Sequence, residues 1–187
     1  MKLGYAICGS FCNLANSLSA LQKLKNEGHE VTVILSEACQ CTDTRFMTAA
    51  ELKDRATVLS DRPLITDIVQ AERIGPEKMF DVLVVSPCTS NTLAKITKGV
   101  TDGAVTMAVK SHVRNERPVL LAIATNDGLG ASAVNIGAML NRRNFYFVPF
   151  AQDDPVKKPR STVCLFNLLS ESVFSAAKQI QLQPVIR

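Results

Sequence analysis

The chain has 187 residues, 47% of them hydrophobic and 20% charged, with 21 basic against 17 acidic side chains. That length holds one well-packed domain and is short for two, and the apolar content excludes a disordered chain. A net charge of +4 with no basic stripe lacks the footprint of a nucleic-acid binder, and no run approaches the ~18 consecutive apolar residues of a membrane span. Aromatics make up only 5% and Trp is absent, so the core is predicted to be aliphatic.

Lys2–Cys8 reads as a buried strand that starts at once, without the apolar run and cleavage site of a secretion signal. The turn Gly9-Ser10-Phe11-Cys12-Asn13 then opens a helix over Leu14–Asn26. Its Leu14, Leu18, Leu21 and Leu24 form one stripe, and Gly28 closes it. Glu30–Leu35 is the second strand. Ser36–Phe80 is less regular and reads as two helices with an exposed loop near Asp61-Arg62-Pro63. Val82–Ser86 is the third strand, followed by helices over Thr89–Thr97 and Gly103–Asn115. Pro118–Ala124 is a fourth strand, Ser132–Asn141 a helix, and Phe145–Pro149 a last short strand. From Ala151 the composition turns polar: Asp153–Arg160 reads as a proline-bounded loop and Ser170–Gln181 as a terminal helix. Strands apolar throughout and separated by helices predict a parallel sheet covered on both faces, a doubly wound α/β fold forming a single domain over residues 1–187.

Six cysteines occur, at 8, 12, 39, 41, 88 and 164. Nothing in the pattern indicates a secreted disulfide framework, and Cys39-Gln-Cys41 has no second pair or histidine cluster to complete a zinc site. Reduced structural thiols in a cytoplasmic protein and no bound metal are the expectation, with Cys12 and Cys88 singled out because they fall in ligand loops.

In open α/β sheets ligands bind beyond the carboxyl ends of the strands. Three loops have suitable composition. Gly9–Asn13 lacks both the Gly-x-Gly-x-x-Gly fingerprint and the Gly-Lys-Ser/Thr ending of a phosphate loop, so a tight turn with Asn13 as helix cap competes with a ligand role. Ser86-Pro87-Cys88-Thr89-Ser90-Asn91-Thr92 gathers hydroxyl and amide side chains at a helix start. One cap needs one such residue; the surplus, with the helix dipole, predicts a phosphate or carboxylate site. In Thr125–Gly130, Asn126 can meet a ligand carbonyl or carboxylate, and a plain strand-to-helix turn is the competing reading.

The stretch Ser86-Pro87-Cys88-Thr89-Ser90-Asn91-Thr92-Leu93-Ala94-Lys95 resembles the Pro-Ala-Ser/Thr-Ala-Asn-Thr signature of the flavoproteins that include phosphopantothenoylcysteine and peptidyl-cysteine decarboxylases. Gly9-Ser10-Phe11 and Lys98-Gly99-Val100-Thr101-Asp102 match as well. The resemblance implies a flavodoxin-like three-layer α/β/α fold and a flavin mononucleotide (FMN) site. Its residues would be Gly9, Ser10, Phe11, Ser86, Cys88, Thr89, Ser90, Asn91, Thr92 and Asn126. It also implies a homo-oligomer, since such flavoproteins often form trimers. Two departures weigh against decarboxylation. Arg73-Ile74 stands where those enzymes carry a catalytic His-Ile, and Ile123-Ala124-Thr125-Asn126 replaces their Pro-x-Met-Asn.

The opening Gly9-Ser10-Phe11-Cys12, the tail Asp154-Pro155-Val156-Lys157-Lys158-Pro159-Arg160-Ser161 and the Gln181-x-Gln-Pro-Val-Ile ending are similar to the B-subunit family of dipicolinate synthases. That likeness implies a sporulating bacterium, a partner in the form of a nucleotide-binding A subunit carrying NAD(P), and oxidation of a dihydrodipicolinate-type dicarboxylate. Lys157, Lys158 and Arg160 would then face the dianion, Arg160 bidentately. A solvated loop, a flavin-dependent decarboxylase or prenyl-transferring flavoprotein, and a non-catalytic stabilising subunit remain as alternatives, with no catalytic residue assigned.

Overall fold

A computed structural model describes residues 1–187. Its elements in chain order are β1 (Lys2–Ile7), α1 (Leu14–Asn26), β2 (Glu30–Leu35), α2 (Glu37–Cys41), α3 (Ala49–Leu59) and α4 (Ile68–Glu72). There follow β3 (Val82–Cys88), α5 (Ser90–Lys98), α6 (Ala104–Val113), β4 (Val119–Thr125), α7 (Ala133–Leu140), β5 (Phe145–Phe147), β6 (Phe150–Asp154), β7 (Lys158–Cys164) and α8 (Leu169–Ala177). The aliphatic runs form the strands: β1 to β4 are buried along nearly their whole length. Burial on both faces is the environment that a parallel sheet provides.

The parallel strands lie in the order β2-β1-β3-β4, and β5 pairs with the first half of β4's outer edge. The second half of that edge is taken by antiparallel β7, which pairs in turn with β6. Helices α1 and α8 pack together over one face with α3 beside α1, and α4, α5, α6 and α7 cover the other. No helix is long and apolar enough to cross a membrane.

One buried polar cluster ties this scaffold together. The Tyr5 hydroxyl lies 3.0 Å from both the Ser17 and Ser86 hydroxyls, and Ser17 Oγ donates to the Ser86 carbonyl at 2.7 Å. Each buried polar atom thus has a partner, without which it would cost roughly 1–3 kcal/mol. The cluster pins α1 across β1 and β3. His112 is also buried, and its Nε2 lies 3.1 Å from the Pro118 carbonyl, so the neutral ring carries its proton on that nitrogen.

Three sequence expectations change. Ser36–Phe80 holds three helices rather than two, because α2 is a five-residue turn too short to carry an apolar stripe. The terminal helix ends at Ala177, not Gln181. The largest change is the polar tail: Asp153–Arg160 is the tip of the β6–β7 hairpin, not a loop. Asp154 Oδ1 accepts the Val156 and Lys157 amides at 3.1 and 2.9 Å, a side-chain-stabilised tight turn. Pro159 is tolerated where the β6–β7 register shifts, and its free carbonyl accepts the Gln152 side-chain amide at 2.8 Å.

Candidate functional site

Chain order reverses between β1 and β3, where β1 leads outward to β2 and the rest of the sheet runs the other way. In a sheet ordered 2-1-3-4-5 this is the point at which a crevice opens beyond the carboxyl ends of the strands. A cleft of about 560 Å³ lies here, within the range of small-molecule sites. Its walls come from four places: Gly9 after β1; Ser36, Glu37 and Ala38 after β2; Thr89, Asn91 and Thr92 after β3; and Gly103–Thr106 at the start of α6.

Two of these walls are the starts of α5 and α6. The opening amides of a helix have no partner inside it. Thr89 caps α5 by accepting the Thr92 amide at 3.2 Å, which leaves the Ser90 and Asn91 amides free. At α6 the Gly103 amide is satisfied by Thr106 Oγ1 at 3.2 Å, leaving those of Ala104 and Val105. The Ser36 amide bonds the Ile7 carbonyl at 3.0 Å, whereas its hydroxyl is buried with no oxygen or nitrogen partner and only the weakly bonding Cys39 thiol nearby. A buried hydroxyl so poorly met is costly unless a ligand meets it. Helix starts, free amides and an unmet hydroxyl make a donor set that suits an anion without a cation. The cationic side chain at the rim, Lys95, is 2.7 Å from Asp102, whose carboxyl it holds below the usual range, and Glu37 adds a negative charge to the wall. Recognition here therefore rests on dipoles and hydroxyls. A phosphate would suit that donor set: the free amides of Ser90, Asn91, Ala104 and Val105, with the Ser36 hydroxyl beside them.

A second, shallow depression of about 430 Å³ lies against β7 and is lined by Asn126, Lys158, Pro159, Arg160 and Ser161. Its character is opposite: exposed cations on a hairpin. Lys158 pairs with Asp153 at 2.7 Å, and that partner raises its pKa. A Cβ on Gly128 would run into Thr162, so glycine is what lets the Asn126 loop close on β7.

The structure thus sorts the predicted residues into groups. Gly9, Thr89, Asn91 and Thr92 meet in the cleft, while Asn126, Lys158 and Arg160 meet in the depression. Ser90 opens α5 and offers its backbone, and Lys157 sits at the exposed hairpin turn. Phe11 is partly buried beside Gly9, and Ser10 Oγ accepts the Asn13 side-chain amide at 3.2 Å. Asn13 makes no capping bond, so its predicted role as a cap is corrected.

Ser86 and Cys88 are also corrected. β3 runs on through Cys88, so both side chains lie inside the core: Ser86 in the Tyr5 cluster, Cys88 against the buried Cys8 and Cys164. Burial pushes the Cys8 thiol up to about 12 and Cys88 well above its ordinary value, so neither supplies a thiolate. All six cysteines are free, with Cys12 and Cys41 exposed. Arg73, where the resemblance places a catalytic histidine, caps the exposed end of α4 and pairs with Glu77 at 2.7 Å. Sequence reading missed Ser36 and Gly103–Thr106. A serine directly after a buried strand was the available signal for Ser36; no local signal marked α6.

Comparison with known proteins accords with this architecture. The flavoprotein family model matches residues 1–153. The B subunit of Bacillus subtilis dipicolinate synthase is 37% identical over 185 residues, 99% of this chain and 92% of that protein. The crystal structure of the dipicolinate synthase B subunit from Bacillus halodurans superposes with a TM-score of 0.91 at 34% identity, over 100% of this chain and 95% of that one. An FMN-dependent cysteine decarboxylase of thioviridamide biosynthesis shares the fold, with a TM-score of 0.67 at 22% identity over 95% and 98% of the two chains. With its reversed strand order, its helix-start cleft and similarity that runs through the hairpin to the last helix, this chain belongs to the flavoprotein family and groups there with the dipicolinate synthase B subunits.

Proposed function

We propose that residues 1–187 act as one unit, the B subunit of a dipicolinate synthase. With a nucleotide-binding A subunit, it would oxidise a dihydrodipicolinate-type dicarboxylate to dipicolinate in the cytoplasm of a sporulating cell. The observation that carries this reading is the end-to-end 37% identity to such a protein, which includes the cationic hairpin beyond the part shared with the whole family. The ring gives up a hydride and a proton and becomes aromatic, so the step needs chiefly an acceptor held close to the reacting carbon. Oxidised nicotinamide on the A subunit takes the hydride, and the proton passes to solvent.

The chain's own residues divide this work. Arg160 and Lys158 bind the substrate carboxylates, Arg160 by a planar two-point contact, and Asn126 orients one of them through its side-chain amide. The cleft amides after β3 and at α6, with the Ser36 hydroxyl, hold the phosphate of FMN. A bound flavin would supply a two-electron acceptor beside the sheet. Decarboxylation by this chain is disfavoured because Arg73 is ion-paired on the surface, and a guanidinium does not give up its proton near neutral pH. We also propose that copies of the chain associate.

The test is to purify the chain alone, record its visible spectrum, and then assay it with NAD(P) and the purified A subunit. The reading expects oxidation only in the mixture, with a flavin band if FMN co-purifies. Full activity of either protein alone, or release of carbon dioxide from a cysteine-terminated peptide, would overturn it.

A further inference from the structure

Next to the cleft, further along α6, lies a groove of about 490 Å³ between α5, α6 and the start of β5. Its floor is apolar, made by Ile96, Val109, Val113 and Phe145, and Val100 stands at its lip with 42% of its surface exposed. Around the rim stand Lys110, Arg114, Arg142 and Arg143, against the single carboxylate of Glu116. The rim therefore carries +3 of a chain whose net charge is only +4.

The fold uses one of these cations. Arg142 reaches the Ile96 and Thr97 carbonyls at 3.4 Å each and lies 6.0 Å from the Phe145 ring centre, closing the carboxyl end of α5. The others hold no such carbonyl, although the Arg114 guanidinium lies against the Gly75 backbone. Lys110 and Arg114 are one turn apart on α6, and neither has a carboxylate within 4.0 Å. Like charges at that spacing destabilise a helix. The dipole at the end of α6 offsets part of that cost but does not explain the apolar floor beside it. Arg143 meets Glu116 at 3.6 Å with both side chains mostly in water, a weak pair.

We infer that this groove docks an acidic amphipathic segment of the partner protein, a helix whose aliphatic residues fill the floor and whose Asp or Glu side chains face Lys110, Arg114 and Arg143. The inference rests on the proposed pairing with the A subunit; it adds where and by what chemistry that pairing occurs. Charge decides the occupant. A twofold contact between copies would set +3 against +3, and a ring contact would bring the rim to a chain that is itself net +4, so like-charge repulsion disfavours both. A helix laid into a groove, read at one-turn spacing, suits an apolar floor with a charged rim. Thr106 belongs both to this groove and to the cleft wall, so a segment seated here braces the helix start that donates to the cleft.

The experiment is calorimetric titration of the intact chain, at two salt concentrations, with the purified A subunit of dipicolinate synthase. The wild-type chain is compared with Lys110→Glu/Arg114→Glu. Reversing two rim charges should weaken binding at least ~30-fold and flatten its salt dependence. Lys53→Glu/Lys178→Glu, exposed on other faces, should bind like wild type. Val100→Asp tests the apolar lip independently, and circular dichroism checks each variant's fold. Equal affinity of the folded rim and lip variants would sink the inference while leaving the pairing intact. No binding by the wild-type chain would overturn the pairing and the inference with it. A rim variant that instead changed the sedimentation of the chain alone would assign the groove to a second copy and overturn the inference.

Discussion

The cleft and the hairpin depression lie at the same carboxyl edge of the sheet, yet they recognise charge by opposite means. The cleft draws on backbone amides that the ends of α5, α6 and α2 present because helices begin there. These donors are fixed by the packing of the whole sheet, and no single side chain removes them. The hairpin offers Lys157, Lys158 and Arg160, long side chains in water on a two-stranded extension. Exposed cations are screened by salt and must be ordered by each ligand that arrives. A preorganised cleft suits a resident group such as FMN, and an adaptable cationic arm suits a substrate that comes and goes.

The largest effect should come from placing charge inside the cleft. Gly103 precedes α6 with open space where a Cβ would stand, and Asp is a favourable helix cap, so Gly103→Asp should fold normally. Its carboxylate among the free amides should weaken FMN binding by ~100-fold or more, measured by quenching of flavin fluorescence. Normal binding in this variant would mean that the phosphate sits elsewhere.

Next comes acid. Burial pushes the His112 pKa down from 6.5 to about 4, so the folded ring stays neutral where the unfolded chain takes up a proton. Its contribution is complete above pH ~6.5 and is lost as pH falls towards 4, about 3 kcal/mol in all. Urea unfolding of wild type against His112→Gln should show this extra acid sensitivity in wild type alone. Parallel profiles for the two would remove the claim.

On the hairpin, Arg160→Ala should raise KM for the dicarboxylate by ~10-fold, while FMN affinity and melting temperature hold steady. Lys158→Ala should do less, because its charge is already shared with Asp153. Equal effects of the two changes would contradict a two-point guanidinium contact.

The smallest change should have two opposite signs. Ser36→Ala removes a buried hydroxyl that has no oxygen or nitrogen partner, so the flavin-free protein should gain up to ~1 kcal/mol, read from urea midpoints. The same variant should bind FMN several-fold more weakly. A loss of stability would show that the hydroxyl has a structural partner and is not waiting for a ligand.

Much of the frame was legible in the sequence because its signals are local. The Leu14–Leu24 stripe and the unbroken runs Glu30–Leu35 and Val82–Val85 each report burial through their own period. The Thr89–Thr92 cluster was legible as the wall of a cleft because its hydroxyls at a helix start exceed what capping requires. The tail was not legible: Asp154, Pro155 and Pro159 are turn and breaker residues, and only pairing of β7 with the free upper edge of β4 turns them into a hairpin. Ser86 and Cys88 misled for a related reason. Their polarity marks a loop in the sequence, but Tyr5 and Ser17, 81 and 69 residues away from Ser86, supply the hydrogen bonds that let it stay inside β3.

By itself the sequence determined the doubly wound class, the aliphatic core, the surplus of hydroxyls at the Thr89–Thr92 helix start and the family, because period, composition and motif are properties of neighbours along the chain. Only the tertiary structure decided that α6 supplies the opposite wall of that cleft. It also left Ser36 Oγ buried without an oxygen or nitrogen partner, divided the basic residues between a hairpin arm and the groove beside α6, and took Ser86 and Cys88 out of the site. Those facts depend on which distant segments meet, and burial and pairing are set by contacts that no local window contains.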